Sequence, residues 1–241
     1  MSGLAAEAAQ NFAERLAQCA YPGRGLVVGR APAGGWIQLY WLMGRSPGSR
    51  NRVLQAQGAA LRTRPRRAEA GVGDAALTLY EAMLELPGRY IVGNGDQVRG
   101  VAEALAAGGS FETALAGRER EPDAPNYTPR ISALLALEAA PALALSILRA
   151  NPADPRRTDR ITWRPAPPPP GLGLGLTTYR GDGDPLPPFR GDPLWLPCDG
   201  TPERLLDRYW EALDAENRVA LAVKHIPEEG GPGQIELRNR G

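Results

Sequence analysis

The chain has 241 residues, a formal net charge of +1 and 43% hydrophobic residues. These values are typical of a globular protein with its own core, and the balanced charge excludes the basic surface of a general nucleic-acid-binding protein. No apolar run is long enough to span a bilayer, and residues 1–20 lack the basic head and apolar middle of a signal peptide. The sequence therefore predicts a cytoplasmic protein with no nucleic-acid or membrane partner.

The N-terminal segment predicts an amphipathic helix over residues 3–19, because apolar side chains recur there at helical spacing. Strand-forming residues then fill 25–29 and 36–43, and the proline and glycines of 31–35 between them are typical of a hairpin loop. Weaker strand patterns cover two further stretches, 53–61 and 77–86. The second of these also fits a helix.

A short strand over 90–92 is followed by a predicted helix over 97–107 and by a second helix that begins near Ser110. A polar loop with prolines, 118–129, comes next. The remaining predictions are strands over 130–137, 142–148, 172–178, 194–197 and 218–226, and a helix over 202–213. This order of strands and helices favours an α+β fold with mainly antiparallel sheets.

Residues 151–170 form the clearest break in the pattern, since 165–170 are almost entirely proline. Such a stretch is either a linker between domains or an excursion within one domain, and we favour the excursion. The expected organisation is therefore a single domain over 1–241, with an extra N-terminal helix within 1–20. Alternate glycines, Gly171, Gly173 and Gly175, place one bare face on a strand, where a ligand or a second sheet can approach closely.

Few side chains suit metal or triad chemistry. His225 is the single histidine and fits a structural role, which argues against histidine-rich zinc sites and histidine-dependent triads. The two cysteines, Cys19 and Cys198, are expected to be reduced, buried thiols. Lys224 is the only lysine, so the cations are arginines, whose planar guanidinium groups suit phosphate and carboxylate recognition.

Three sets of segments contain distinctive motifs: residues 21–30 (YPGRGLVVGR) with Tyr40 and 44–50 (GRSPGSR), Tyr80 with 90–95 (YIVGNG), and 121–131 (EPDAPNYTPRI). In this order they resemble the archaeal-type IMP cyclohydrolase family. The third matches an acidic loop of the family, except that Tyr127 is an extra residue. A weaker likeness places 177–181 (TTYRG) in a substrate loop.

This resemblance implies a four-layer α-β-β-α sandwich like that of the N-terminal-nucleophile hydrolases, without their nucleophile. It also implies a purine nucleotide substrate, 5-formamidoimidazole-4-carboxamide ribonucleotide, and IMP as the product. The reaction joins the carboxamide nitrogen to the formyl carbon and releases water, so it requires no metal or redox cofactor. The sequence leaves homo-oligomerisation open.

Ring closure needs a base, a donor for the formyl oxygen and cations for the phosphate. The candidate catalytic residues are Arg45, Tyr80, Glu121 and Asp123. The candidate substrate-binding residues are Arg50, Asn94, Asn126, Thr128, Arg130, Thr178, Tyr179 and Arg180. Ordinary structural roles stay open at several of them, such as core packing for Tyr80 and a self-bonded loop for the two carboxylates.

Rival interpretations also stay open. The chain fits a nucleotide-binding homologue without activity, since it departs from the family at Tyr127 and in its C-terminal third. Removal of Met1 would expose Ser2 as an N-terminal nucleophile, which predicts an amidohydrolase. The predicted helix before the first strand disfavours this second alternative.

Overall fold

A computed structural model gives the structure of the chain over residues 3–67 and 79–241. Within these residues the fold is α+β, with two antiparallel sheets and short helices, as the sequence predicts. Ser2 and residues 77–78 of one predicted strand lie outside the described residues. No helix of the described part is both long and apolar enough to cross a membrane.

The first sheet is built around the N-terminal hairpin. Its order within the described residues is β11-β10-β1-β2-β12-β13, and all neighbouring strands are antiparallel. The strands are β1 (Gly25–Arg30), β2 (Trp36–Met43), β10 (Leu172–Thr177), β11 (Leu194–Pro197), β12 (Arg218–Ile226) and β13 (Gln234–Asn239).

The second sheet is a meander in which each strand pairs with the next along the chain. Its order within the described residues is β3-β4-β5-β6-β7-β8-β9, again antiparallel. The strands are β3 (Arg52–Gln57), β4 (Ala60–Pro65), β5 (Glu81–Leu86), β6 (Arg89–Gly93), β7 (Arg130–Ala136), β8 (Leu143–Ala150) and β9 (Thr158–Trp163).

Helices cover the outer faces of both sheets. The described helices are α1 (Gly3–Phe12), continued by a π-helical turn (Ala13–Ala17), α2 (Pro47–Arg50), α3 (Gln97–Ala106), α4 (Phe111–Ala116) and α5 (Pro202–Ala212). One core contains side chains of both sheets and lies between them. A second joins the first sheet to α5 and the π-helical turn, and a third joins the second sheet to α3 and α4. The likeness to N-terminal-nucleophile hydrolases stays a prediction.

The single strand predicted over 53–61 is wrong. The chain turns after β3 at Gly58, whose φ of +57° lies in the left-handed region that favours glycine, and returns as β4. The stretch that also fits a helix is the strand β5. The helix predicted over 3–19 is α-helical only as far as Phe12 and continues as a π-helical turn.

Two strands were not predicted. Residues 151–170 contain β9, which extends the second sheet at its edge, and β13 closes the edge of the first sheet. Both are short edge strands with polar residues on alternate positions, so their apolar content is low. The helix that begins after Ser110 is confirmed, and the Ser110 hydroxyl caps it by accepting a hydrogen bond from the Thr113 backbone amide.

The bare face of β10 receives the side chain of Cys198. A Cβ placed on Gly173 would lie 2.8 Å from the Cys198 Sγ atom, and one on Gly29 of β1 would lie 2.5 Å from it. The close neighbour of this face is therefore the residue that follows β11 of the same sheet, and the predicted approach by a second sheet is wrong. Both cysteines are free thiols, but only Cys198 is fully buried, whereas Cys19 is half-buried.

Candidate active site

A cavity of about 370 Å³, here the main cavity, opens at one end of the two sheets. At this end β1, β3 and β7 begin and β2 and β10 end, so their connecting segments meet there. Its volume lies within the range of about 300–1,000 Å³ that is usual for small-molecule sites. The lining residues are Tyr21, Gly23, Arg24, Met43, Arg45, Ser46, Gly48, Ser49, Arg52, Glu121, Asp123, Asn126, Thr128, Tyr179 and Leu186.

A buried ion pair forms one wall of the main cavity. Arg24 and Glu121 are only 8% and 4% exposed, and the Arg24 Nη1 atom lies 2.9 Å from Glu121 Oε1. The Arg24 Nη2 group donates a hydrogen bond to Glu121 Oε2 at 3.0 Å. Arg24 precedes β1 and Glu121 lies in the loop before β7, so this pair joins the two sheets at the cavity.

One oxygen of this carboxylate is left without a hydrogen bond. Glu121 Oε1 is buried and accepts no hydrogen bond of good geometry from any described residue, although it lies 2.9 Å from Arg24 Nη1. Burial raises the pKa of the Glu121 carboxyl above its ordinary 4.5, and the neighbouring Arg24 opposes this shift. A buried carboxylate with a raised pKa on a cavity wall is suited to accept a proton from a ligand.

A second wall is a chain of hydroxyl groups. The Thr128 hydroxyl donates a hydrogen bond to Asp123 Oδ2, and the Thr128 amide donates to Asp123 Oδ1 at 2.7 Å. Because this hydroxyl has one proton, the Tyr179 hydroxyl, 2.5 Å away, is the donor toward Thr128 Oγ1. Burial raises the pKa of Tyr179, so its phenol stays protonated at neutral pH and remains a donor.

The extra residue of the acidic loop shapes this chain. Tyr127 has a φ of +43°, an uncommon conformation for a residue with a side chain, and its amide donates to the Asp123 carbonyl at 3.2 Å. The Arg120 guanidinium lies 4.2 Å from the centre of the Tyr127 ring and packs on it. This turn directs Thr128 back onto the Asp123 carboxylate.

The loop between β2 and β3 contributes Arg45. Its guanidinium lies 5.1 Å from the centre of the Tyr21 ring and forms an ion pair with Asp182. Its Nη1 group also donates to the Gly183 carbonyl at 3.2 Å. Asp182 and Gly183 belong to residues 180–190, here the covering loop, which reaches the main cavity at Leu186. Arg45 therefore holds the covering loop while it faces the cavity.

Arg52, the first residue of β3, supplies a further cation. Its Nε group donates to the Ser49 carbonyl at 2.9 Å and its Nη2 group to the Met43 carbonyl at 3.3 Å. The residue is 5% exposed, and it forms no ion pair with a carboxylate among the described residues. A buried guanidinium without a counter-ion on a cavity wall favours an anionic ligand.

The structure brings half of the predicted site residues to the main cavity. Those on its wall are Arg45, Glu121, Asp123, Asn126, Thr128 and Tyr179. Those outside its wall are Arg50, Tyr80, Asn94, Arg130, Thr178 and Arg180.

Three of the outlying residues support the wall from behind. The Tyr80 hydroxyl lies 2.6 Å from the Tyr40 hydroxyl in the core between the sheets. Asn94 is fully buried and accepts a hydrogen bond from the Ile131 amide at 2.6 Å. The Thr178 hydroxyl accepts from the Arg24 amide at 3.1 Å.

The other three are arginines. Arg50 is exposed, with its Nε group donating to the Gly44 carbonyl at 3.0 Å. Arg130 pairs with Asp96 at 2.6 Å. Arg180 lies on a second, smaller cavity.

The sequence did not single out Tyr21, Arg24 or Arg52 as site residues. Arg24 lies inside the motif 21–30, directly after a Pro-Gly turn and before β1, and this position was the available signal. Its partner Glu121 is 97 residues away in the chain, so the pair follows only from the packing of the sheets.

Residues 21–230 match the model of the family described as IMP cyclohydrolase-like protein. The chain belongs to the IMP cyclohydrolase-like family. This confirms the resemblance read from the motifs, and the matched range contains every lining residue of the main cavity. It begins after the N-terminal helix. No curated protein matches the chain.

Proposed function

We propose that this member of the IMP cyclohydrolase-like family converts 5-formamidoimidazole-4-carboxamide ribonucleotide to IMP with loss of water. The observation that carries the proposal is the Glu121 carboxylate, which lies buried in the wall of the main cavity and is paired with Arg24. The membership of the family supports the substrate class.

Glu121 is the proposed base. The carboxamide nitrogen attacks the formyl carbon, and the Glu121 carboxylate accepts one of its protons as the new carbon–nitrogen bond forms. The former formyl oxygen gains negative charge in this step. The Arg24 guanidinium, paired with the same carboxylate, keeps positive charge beside the reacting atoms.

Tyr179 is the proposed donor to the former formyl oxygen, in place of Tyr80, which lies outside the cavity wall. Its neutral phenol ends the hydroxyl chain through Thr128 to Asp123. Because the phenol has a single proton, its O–H group turns from Thr128 Oγ1 to the substrate oxygen when it acts as this donor. The oxygen leaves as water when the formamide nitrogen loses its proton and a double bond forms to the ring carbon. The two hydrogens of that water thus come from the two nitrogens of the substrate.

Arg52 is the proposed phosphate ligand, in place of Arg50, and Arg45 supports it from the same loop. A phosphate monoester has a charge between about −1.5 and −2 at neutral pH and matches a guanidinium fork. The proposed reaction proceeds without a covalent intermediate. It therefore needs no nucleophilic residue of the kind that N-terminal-nucleophile hydrolases use, even with the proposed likeness of fold.

The direct test follows the absorbance change of ring closure with purified protein and the formamido nucleotide, with and without EDTA. We expect conversion to IMP in both. An absence of conversion at every pH between about 6 and 9, where such groups titrate, would contradict the proposal. Binding of IMP without turnover would favour the non-catalytic alternative.

Arg52→Gln is expected to raise the Kd for IMP by about tenfold or more, because a charge-assisted hydrogen bond to the phosphate is lost. The Kd for inosine, which has no phosphate, should stay the same. Calorimetric titration of both ligands measures this. Arg50→Gln is the matched control from the exposed end of the same loop and should change neither Kd. Equal losses for IMP and inosine would indicate a distorted loop instead of a missing phosphate ligand.

The pH dependence of kcat should show the titration of Glu121. Glu121 can act as a base only when it is deprotonated, and burial raises its pKa above the ordinary 4.5. We therefore expect kcat to fall as the pH is lowered through this raised pKa. Measurement at saturating substrate removes the titration of the free substrate phosphate. The same acid limb in the residual activity of Glu121→Gln would show that another group titrates.

A further inference from the structure

A second, smaller cavity adjoins the main cavity on the other side of Tyr179. Its volume is about 90 Å³. It is here named the arginine cleft, and it is lined by Arg15, Thr177, Tyr179, Arg180, Phe189, Arg190 and Leu194. Tyr179 is the residue common to the walls of both cavities.

The charges around the arginine cleft are unbalanced. Arg15, Arg180 and Arg190 all line it, and no aspartate or glutamate does. None of these three guanidinium groups forms an ion pair or a side-chain hydrogen bond with a residue in the described ranges. Guanidinium groups that converge without counter-ions repel one another, and an anion between them removes this repulsion.

A fourth arginine adds to the positive field. Arg149 donates a hydrogen bond from its Nη1 group to the Phe189 carbonyl at 2.8 Å, directly behind the cleft. Its Nε atom is buried and has no hydrogen-bond partner among the described residues. Burial and the charge of Arg190 both lower the pKa of Arg149, and only Asp159 opposes them. The positive charge of the cleft therefore lowers the pKa of the adjacent Arg149.

We propose that the arginine cleft binds a phosphate-sized oxyanion, held by Arg15, Arg180 and Arg190. A water molecule takes about 30 Å³ of liquid volume, so the cleft has room for a tetrahedral oxyanion. It is far smaller than the range of about 300–1,000 Å³ for larger ligands, which excludes a whole nucleotide. The ligand class is thus an inorganic oxyanion or the terminal phosphate of a small metabolite.

The position of the cleft gives the anion an effect on the main cavity. Arg180 and Arg190 are the first and last residues of the covering loop. Between them, Asp182 pairs with Arg45, and the Leu186 amide donates to Asn126 Oδ1 at 3.0 Å. An anion that bridges the two arginines holds both ends of the loop together, and so stabilises the closed arrangement over the main cavity.

The third arginine comes from outside the family match. Arg15 lies on the π-helical turn that follows α1, whereas the matched residues begin at residue 21. The complete cleft therefore depends on a segment that precedes the matched range. The proposal is independent of the reaction at the main cavity.

The test is a titration with inorganic phosphate at constant ionic strength, in the Arg52→Gln background to weaken binding at the main cavity. We expect saturable binding. Adding Arg180→Gln and Arg190→Gln should weaken it by about tenfold or more. Adding Arg204→Gln, which changes an exposed arginine of α5, is the control and should leave it unchanged. The absence of saturable binding, or equal binding in all three proteins, would overturn the proposal.

Hydrogen exchange measures the effect on the loop. Phosphate should slow amide exchange in residues 180–190 of the Arg52→Gln protein, and it should have no such effect once Arg180 and Arg190 are replaced. Binding without slower exchange would show that the anion does not clamp the loop. Neither readout uses turnover, so failure here and failure of the proposed reaction are distinguishable.

Discussion

Glu121→Gln is expected to lower kcat by about 10²–10⁴-fold, the usual contribution of a positioned general base. The amide has the shape of the carboxylate but cannot take the proton of the carboxamide nitrogen. Its oxygen can still accept the hydrogen bond that Arg24 donates to Oε2, but its amide group then replaces Oε1, which lies 2.9 Å from Arg24 Nη1. Substrate binding should change much less than kcat.

The measurement is kcat by the ring-closure assay, with Glu119→Gln as the matched control. Glu119 is an exposed carboxylate two residues earlier in the same loop, and its replacement should leave kcat unchanged. Glu121→Gln also leaves the buried Arg24 without a counter-ion, so unfolding must be followed separately and the assay run below the melting temperature. If kcat stayed within about tenfold of that of the unchanged protein, Glu121 would not be the base, and Asp123 would become the candidate.

Lys224→Met is expected to lower the free energy of unfolding by about 3 kcal/mol, the low end for breaking a buried ion pair, since Glu85 keeps some exposure. Lys224 is fully buried on β12, with its ammonium paired to Glu85 of β5 in the other sheet. It also donates to the Ala59 carbonyl at 2.8 Å and lies 5.5 Å from the centre of the Tyr90 ring. The substitution leaves a carboxylate and a carbonyl without their partner.

Urea denaturation measures this effect, with the double variant Lys224→Met and Glu85→Leu as the comparison. Removing both charges leaves no uncompensated carboxylate, so the double variant should recover most of the stability. The kcat should be unaffected in either variant, because neither residue lines the main cavity. A double variant as unstable as Lys224→Met alone would mean that packing, and not the charge pair, determines the loss.

Local patterns in the sequence predict much of the fold. The hairpin of β1 and β2 follows from two apolar runs around a glycine-rich loop, and α4 follows from the Ser110 cap. The edge strands β9 and β13 escaped prediction because polar residues outnumber apolar ones in both, as they do in loops. The turn at Gly58 escaped it because a single glycine inside a strand pattern does not distinguish a turn from a bulge.

The sequence predicted the kinds of side chains that line the main cavity, but it placed only half of the predicted residues on the cavity wall correctly. The acidic loop and the loop with Arg45 were found because residues 121–131 and 44–50 resemble motifs of the family. The choice between Arg50 and Arg52, or between Tyr80 and Tyr179, depends on which strand end each residue occupies. That information arises only when chain segments more than a hundred residues apart meet, as the start of β3 and the end of β10 do at the main cavity.

The niche that β1 and β10 form around Cys198 has a practical use. Burial there raises the pKa of its thiol to about 12, so Cys198 resists alkylating reagents in the folded state. Cys19 is only half-buried, so a reagent can reach it, although burial raises the pKa of its thiol as well. The charge of Arg15, in the arginine cleft, opposes this rise, and that of Asp182, in the covering loop, adds to it. A thiol-reactive fluorophore should therefore attach at one position of the unaltered chain, beside the segment whose closure it would report.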